Sequence, residues 1–152
     1  MFRKLQMSDR EVYLEMVGEF YHSDAVLHPV PVEYHINTFN EIMRSDEYLE
    51  CYMLEDEGEA VGFALLSKSF SPEVGGPIVW VEEIYIREGH RGKGIGKAFF
   101  AFMHENIPAA RYRLEIEPDN KRAEALYSSM GYTELGYKQM VRDTDKIKGE
   151  KA

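Results

Sequence analysis

Between Arg87 and Phe100 the chain reads REGHRGKGIGKAFF. Gly92, Gly94 and Gly96 alternate there with Arg91, Lys93, Ile95 and Lys97. The run lies between a predicted strand and a predicted helix. Backbone N–H groups and the positive end of the helix dipole then converge on one spot. Glycine also lets the backbone approach a ligand with no Cβ in the way. The chemistry implied is anion binding, with phosphate the natural guest; a flexible, solvated turn is the plainer alternative. Spacing excludes two common phosphate fingerprints. Counting from Gly92, the last glycine of G-x-G-x-x-G would have to be Lys97, and G-x-x-x-x-G-K-[ST] fails at Arg91 and Ala98.

Two adjacent acids, Glu82 and Glu83, interrupt the otherwise apolar IVWVEEIYI just upstream. Strand alternation predicts opposite faces for them, Glu82 beside Trp80 and Ile84, and Glu83 beside Tyr85. Downstream, NKRAEALYSSMGY carries Asn120, suited to capping a helix, and Tyr127, which shares an apolar face with Ala123 and Met130. Near the start, FYHSDAVLHPVPVEYHI holds Tyr21, Asp24, Glu33 and Tyr34. Aromatics with carboxylates suit a cation, and such loops are also packed turns. His22, His28, His35, His90 and His104 show no metal-ligand spacing, so no metal is assigned. The single cysteine, Cys51, permits no internal disulfide and has no nucleophile signature around it.

These residues need a scaffold, and the pattern supplies one. A short strand, FRKL, precedes a capping box of Ser8 and Glu11. Tyr13, Met16, Val17 and Phe20 then give a helix over 9–21. Pro29 and Pro31 mark a loop, and a second helix is expected over 36–46. Strands over 50–55 and 59–69 flank a hairpin turn at Asp56-Glu57-Gly58, and a third runs over 78–86. After the glycines, Phe99, Phe100 and Met103 mark a helical face. RYRLEIE is a strand, a helix opens at Pro118-Asp119 and stops at Gly131, and YTELGYKQMVR is a last strand. This order predicts an α/β fold with a mixed sheet and helices on both faces rather than a doubly wound parallel one.

At 152 residues, with 44% hydrophobic and 30% charged, the chain has the size and composition of one globular domain. The expected domain is 1–142, with 143–152 a flexible tail. Net charge is −9, which argues against general nucleic-acid binding and suits a cationic substrate. No stretch approaches the ~20 apolar residues of a membrane span, and MFRKLQMSDR has no signal-peptide run, so a cytoplasmic location is expected.

R-x-x-G-x-G after a strand, followed by a strand, Asn120 and Tyr127 before a glycine, resembles the GNAT superfamily of acetyl-CoA-dependent N-acetyltransferases, most closely over about residues 78–137. The resemblance implies a mostly antiparallel central sheet and acetyl-CoA as co-substrate. It implies that the amides of Arg91, Gly92, Lys93, Gly94, Ile95 and Gly96 cradle the pyrophosphate, with Lys97 adding charge. The pantetheine arm would pair with Ile84, Tyr85 and Ile86 as a missing strand does. Asn120 would hydrogen-bond that arm and Tyr127 would protonate the departing thiolate. An ammonium must lose its proton before attack. Glu82, nine positions before Arg91, is the first candidate for that base and Glu83 the second; both are also open to structural or substrate-binding roles. Tyr21, Asp24, Glu33, Tyr34 and Trp80 are candidate acceptor contacts. The acceptor implied is a small cationic amine, attacked directly in a ternary complex. A catalytically silent acyl-CoA-binding module and a protein or peptide amine acetyltransferase are the alternatives. Homodimers are common in the family, though no sequence feature demands a homodimer here.

Overall fold

The computed structural model describes residues 1–145. Its chain forms two compact units, Met1–Glu115 and the part from Ile116 on. The first unit contains β1 (Phe2–Lys4), α1 (Arg10–Tyr21), α2 (Val32–Arg44), β2 (Leu49–Asp56), β3 (Glu59–Ser71), β4 (Gly76–Ile86), α3 (Ile95–Asn106) and β5 (Arg111–Leu114). Strands lie in the order β1-β2-β3-β4-β5, antiparallel from β1 to β4 and parallel between β4 and β5.

Alternation along the strands feeds two cores. Cys51, Met53, Phe63 and Leu65 face Tyr13, Met16, Val17 and Phe20 of α1 and Phe39 and Ile42 of α2. On the opposite face, Phe99 of α3 meets the rings of Phe2 at 5.5 Å and Tyr52 at 5.8 Å. Helices therefore cover both faces. Tyr13, Phe39, Phe63, Phe99 and Phe100 are fully buried, each removing from water apolar surface worth roughly 1.5–3 kcal/mol.

Several expected boundaries move. The start of α1 is organised by Asp9, not Ser8. Asp9 accepts from the Gln6 amide at 2.8 Å and from both Arg3 terminal nitrogens at 2.7 and 2.9 Å. That bidentate charge pair outcompetes the exposed hydroxyl of Ser8 and holds the Asp9 carboxyl below its usual range. Helix α2 begins directly after Pro31, four residues earlier than the pattern suggests, because proline suits a helix entrance. The hairpin turn is as expected: Glu57 at φ 51° and Gly58 at φ 81° form the two-residue connection of β2 and β3.

Two irregularities in β4 matter for function. Leu65 pairs with Glu83 but Leu66 with Val81, so Glu82 is the extra residue of a β-bulge. Strand β5 pairs only with Ile78–Val81 and stops at Leu114, short of the expected 117. From Glu82 to Ile86, β4 has no β5 partner.

In the second unit, α4 (Lys121–Ser129) is capped by Asn120, whose Oδ1 accepts from the Ala123 amide at 3.1 Å. Gly131, at φ 91°, ends it. The strand expected over 132–142 is absent; those residues have no regular structure, and Tyr137, Met140 and Val141 are exposed. The expected tail lies, from residue 146, outside the described residues.

Candidate active site

The bulge changes what the two acids can do. Beyond it the strand's alternation is reset, so Glu83 lands on the face covered by α1, in one row with Leu65 and Cys51. There its Oε2 accepts a hydrogen bond from the Tyr21 hydroxyl at 2.5 Å. Glu82 accepts from the Ser67 hydroxyl at 2.6 Å, and Ser67 alternates onto that same face. The expectation of opposite faces is thus overturned. A bulge sets two residues against one on the partner strand, and regular alternation cannot foresee it.

The pair is asymmetric. Glu82 is exposed, whereas Glu83 is partly buried, with its Oε1 fully so and without a hydrogen-bond partner among the described residues. Burial pushes the Glu83 carboxyl up to about 7; the Tyr21 hydrogen bond opposes that rise and the charge of Glu82 adds to it. A carboxylate of that strength accepts a proton near neutral pH.

A cleft of about 480 Å³ opens further along β4, lined by Phe20, Asp24, Ile84, Tyr85, Ile86 and Arg91 among others and beginning one residue past Glu83. Tyr85 is braced from α1: its hydroxyl donates to Glu19 at 2.9 Å, and Arg87 bridges Glu19 and Glu15. Arg91 donates from Nε to the Ile86 carbonyl at 2.7 Å and sits 5.6 Å from the Tyr85 ring centroid. Lys93 pairs with Asp56 of the hairpin turn at 3.0 Å, and His90 approaches the same carboxylate at 3.3 Å. Two of the expected phosphate cations thus have partners within the chain, whereas Lys97 is exposed.

The glycine turn itself suits an anion. Gly92 and Gly94 hold φ of 79° and 80°, and nothing lies within 4 Å of where a Cβ would stand at either. Gly94 caps α3, so the amides of Ile95, Gly96 and Lys97 are first-turn donors with no intrahelical acceptor. Together with the edge Ile84–Ile86, which β5 leaves uncovered, these residues fit a phosphate-bearing ligand with an amide-rich arm.

Of the acceptor candidates, Tyr21 bonds Glu83 and Asp24 lines the cleft. Glu33 and Tyr34 sit in the first turn of α2 and do not line it. Trp80 is covered by the chain's own Arg113, whose guanidinium lies 4.2 Å from the ring centroid. Sequence reasoning missed His35, buried and packed on the Tyr21 ring at 4.7 Å, and Ser67, which carries no motif signal at all. Burial raises the Cys51 thiol, which removes it as a thiolate nucleophile at neutral pH. In the second unit, Tyr127 packs on Tyr132 at 6.1 Å, and burial raises its phenol, so it stays protonated at neutral pH. Among the described residues no cluster is placed to hold a metal, and no helix is long and apolar enough to cross a membrane.

Sheet order, the opening between β4 and β5 and the glycine turn at that opening define an N-acetyltransferase-type fold. Solved structures carry the same fold at low identity. A possible acetyltransferase from Clostridium difficile 630 superposes with TM-score 0.80 at 17% identity, covering 95% of this chain and 97% of that one. The aminoglycoside acetyltransferase AAC(6')-Iy, in complex with the bisubstrate analog CoA-S-monomethyl-acetylneamine, gives 0.76 at 19%, covering 95% and 97%. Ribosomal-protein-alanine N-acetyltransferase from Brucella melitensis biovar Abortus 2308 gives 0.69 at 20%, covering 95% and 99%. No curated protein matches in sequence. The acetyltransferase (GNAT) family model matches residues 11–132. The chain belongs to that family, and with it to the acetyl-CoA-dependent N-acetyltransferases.

Proposed function

We propose that the chain acetylates a primary amine of a small cationic molecule by direct attack, with both substrates bound. The observation that carries this reading is the carboxylate pair at the bulge: a partly buried, strengthened base beside an exposed acid, on one face of the sheet. An alkylamine of pKa near 10 is neutral in only about one molecule in a thousand at pH 7, so a base is required. Glu83 takes that part. It replaces Glu82, the first candidate that the family resemblance implied, because burial strengthens Glu83 as a base. Glu82 and Asp24 then hold positive charge on the acceptor.

Bound acetyl-CoA supplies the activated acyl group and its thiol leaving group. The first-turn amides of α3 and the glycine turn hold the pyrophosphate, and the open edge Ile84–Ile86 receives the amides of the pantetheine arm. Asn120 both caps α4 and contacts the arm. Tyr127 donates its proton to the departing sulfur, an assignment supported by the family resemblance and by a phenol that keeps its proton. Enzymes of similar fold are named for an aminoglycoside and for a ribosomal-protein alanine. The acidic character of this site and chain favours the small cation.

Thiol release from acetyl-CoA against polyamines, aminoglycosides, amino acids and short peptides tests the reading. Glu83→Gln is expected to lower kcat about 100-fold or more, and Tyr127→Phe to lower it about 10-fold or more, each with CoA binding kept. Glu82→Gln is expected to raise the acceptor KM. Should CoA bind while no amine stimulates release, the silent-module reading takes its place.

A further inference from the structure

The two oxygens of Glu83 have different surroundings. Oε2 accepts from the Tyr21 hydroxyl at 2.5 Å, whereas Oε1 is buried without a hydrogen-bond partner among the described residues. Tyr21 is the last residue of α1, and its ring contacts Phe20 at 5.3 Å and His35 of α2 at 4.7 Å. Those ring contacts restrict where its hydroxyl can point.

We infer that Tyr21 is the positioning residue of the base: its hydroxyl ties down Oε2 and leaves Oε1 as the oxygen that takes the proton from the acceptor ammonium. This rests on Glu83 being the base and adds to it a named atom and a residue that tunes it. The balance is simple. The ammonium N–H bond breaks and its proton passes through a water relay to Oε1, the nitrogen lone pair is freed for attack, and the Tyr21 O–H bond stays intact.

A donor to the ionised carboxylate favours that form, so Tyr21 works against burial. The titratable groups that act on Glu83 are Tyr13 and Tyr21 from α1, Cys51 from β2 and Glu82 from β4; His35 of α2 packs on Tyr21, and Tyr85 lies two residues on along β4. Burial raises Tyr13, Tyr21, Tyr85 and Cys51 and lowers His35, so all five are neutral at pH 7. Glu82 supplies the charge that acts on Glu83, and it pushes in the same direction as burial. Removing the Tyr21 hydroxyl leaves nothing to oppose them.

The test is a carboxyl-carbon NMR titration of the full chain labelled at glutamate, with the Glu83 signal identified by its loss in Glu83→Gln. Wild type should titrate near 7, and Tyr21→Phe about one to two pH units higher. With an amine that the thiol-release panel identifies, Tyr21→Phe should lose about fivefold or more in kcat at pH 7 and regain most of it at pH 9. Loss of packing alone would not be rescued by pH. An unmoved midpoint in Tyr21→Phe overturns the inference. Wild-type turnover in Glu83→Gln would instead overturn the base assignment, and the titration would still report what Tyr21 does to the carboxyl.

Discussion

Glu83 titrates in the fold at about 7 against an ordinary 4.5, so over that window the folded chain holds a proton that the unfolded chain has released. Stability therefore falls as pH rises from about 4.5 to 7, by about 3 kcal/mol across the whole window. Replacing the carboxyl with the uncharged amide in Glu83→Gln removes this loss. The variant's Tm, measured against wild type, should gain on it between about pH 4.5 and 7 and level off above that. A Tm difference that stays flat with pH would mean that the carboxyl is not desolvated, and the base reading would lose its physical ground. The same burial that strengthens the base thus weakens the fold at working pH, a trade common at active sites.

At the scale of elements, the edge of β4 that is open to a ligand depends on how closely β3 approaches on the other side. A Cβ at Gly62 would collide with the Tyr85 carbonyl oxygen and stand 3.2 Å from the Ile86 Cα. Both are backbone, so neither can swing away. Gly62→Ala should cost about 1–3 kcal/mol by urea unfolding. It should also weaken CoA binding measured by calorimetry, because Tyr85 and Ile86 must shift. If CoA affinity held while stability fell, the edge would not be the ligand's partner. Helices α1 and α3 and the hairpin were legible because Tyr13, Met16, Val17 and Phe20, or Phe99, Phe100 and Met103, repeat at one period against one core. The bulge was not, since a single extra residue at Glu82 leaves no trace in composition. Nor was the part played by Asp9, whose carboxylate is held by the Gln6 amide and by Arg3 on a separate strand. Residues 132–142 hold strand-forming Tyr132, Tyr137 and Val141, yet such residues specify a strand only where a neighbour accepts its hydrogen bonds.

Considered as a whole molecule, the chain carries a net charge of −9 and yet concentrates cations in one turn. The structure divides that contradiction. Lys93 is tied to Asp56 and Arg91 to the Ile86 carbonyl, so the anion is left chiefly to backbone amides and the α3 dipole, which act at short range. The acceptor meets the opposite regime: an acidic chain, with Asp24 lining the cleft and Glu82 exposed on β4, draws a cation from a distance. Salt should separate the two. Screening shortens the reach of exposed charge to about 10 Å at 0.1 M while barely touching first-turn amides in contact with their ligand. Raising ionic strength from about 0.02 to 0.3 M should therefore lower kcat/KM for a polyamine about tenfold and change the acetyl-CoA KM far less. The reverse order of sensitivity would mean that Arg91 and Lys93 leave their partners to join Lys97 in holding the phosphates. The Asp56 contact would then be a resting arrangement, broken when the donor binds.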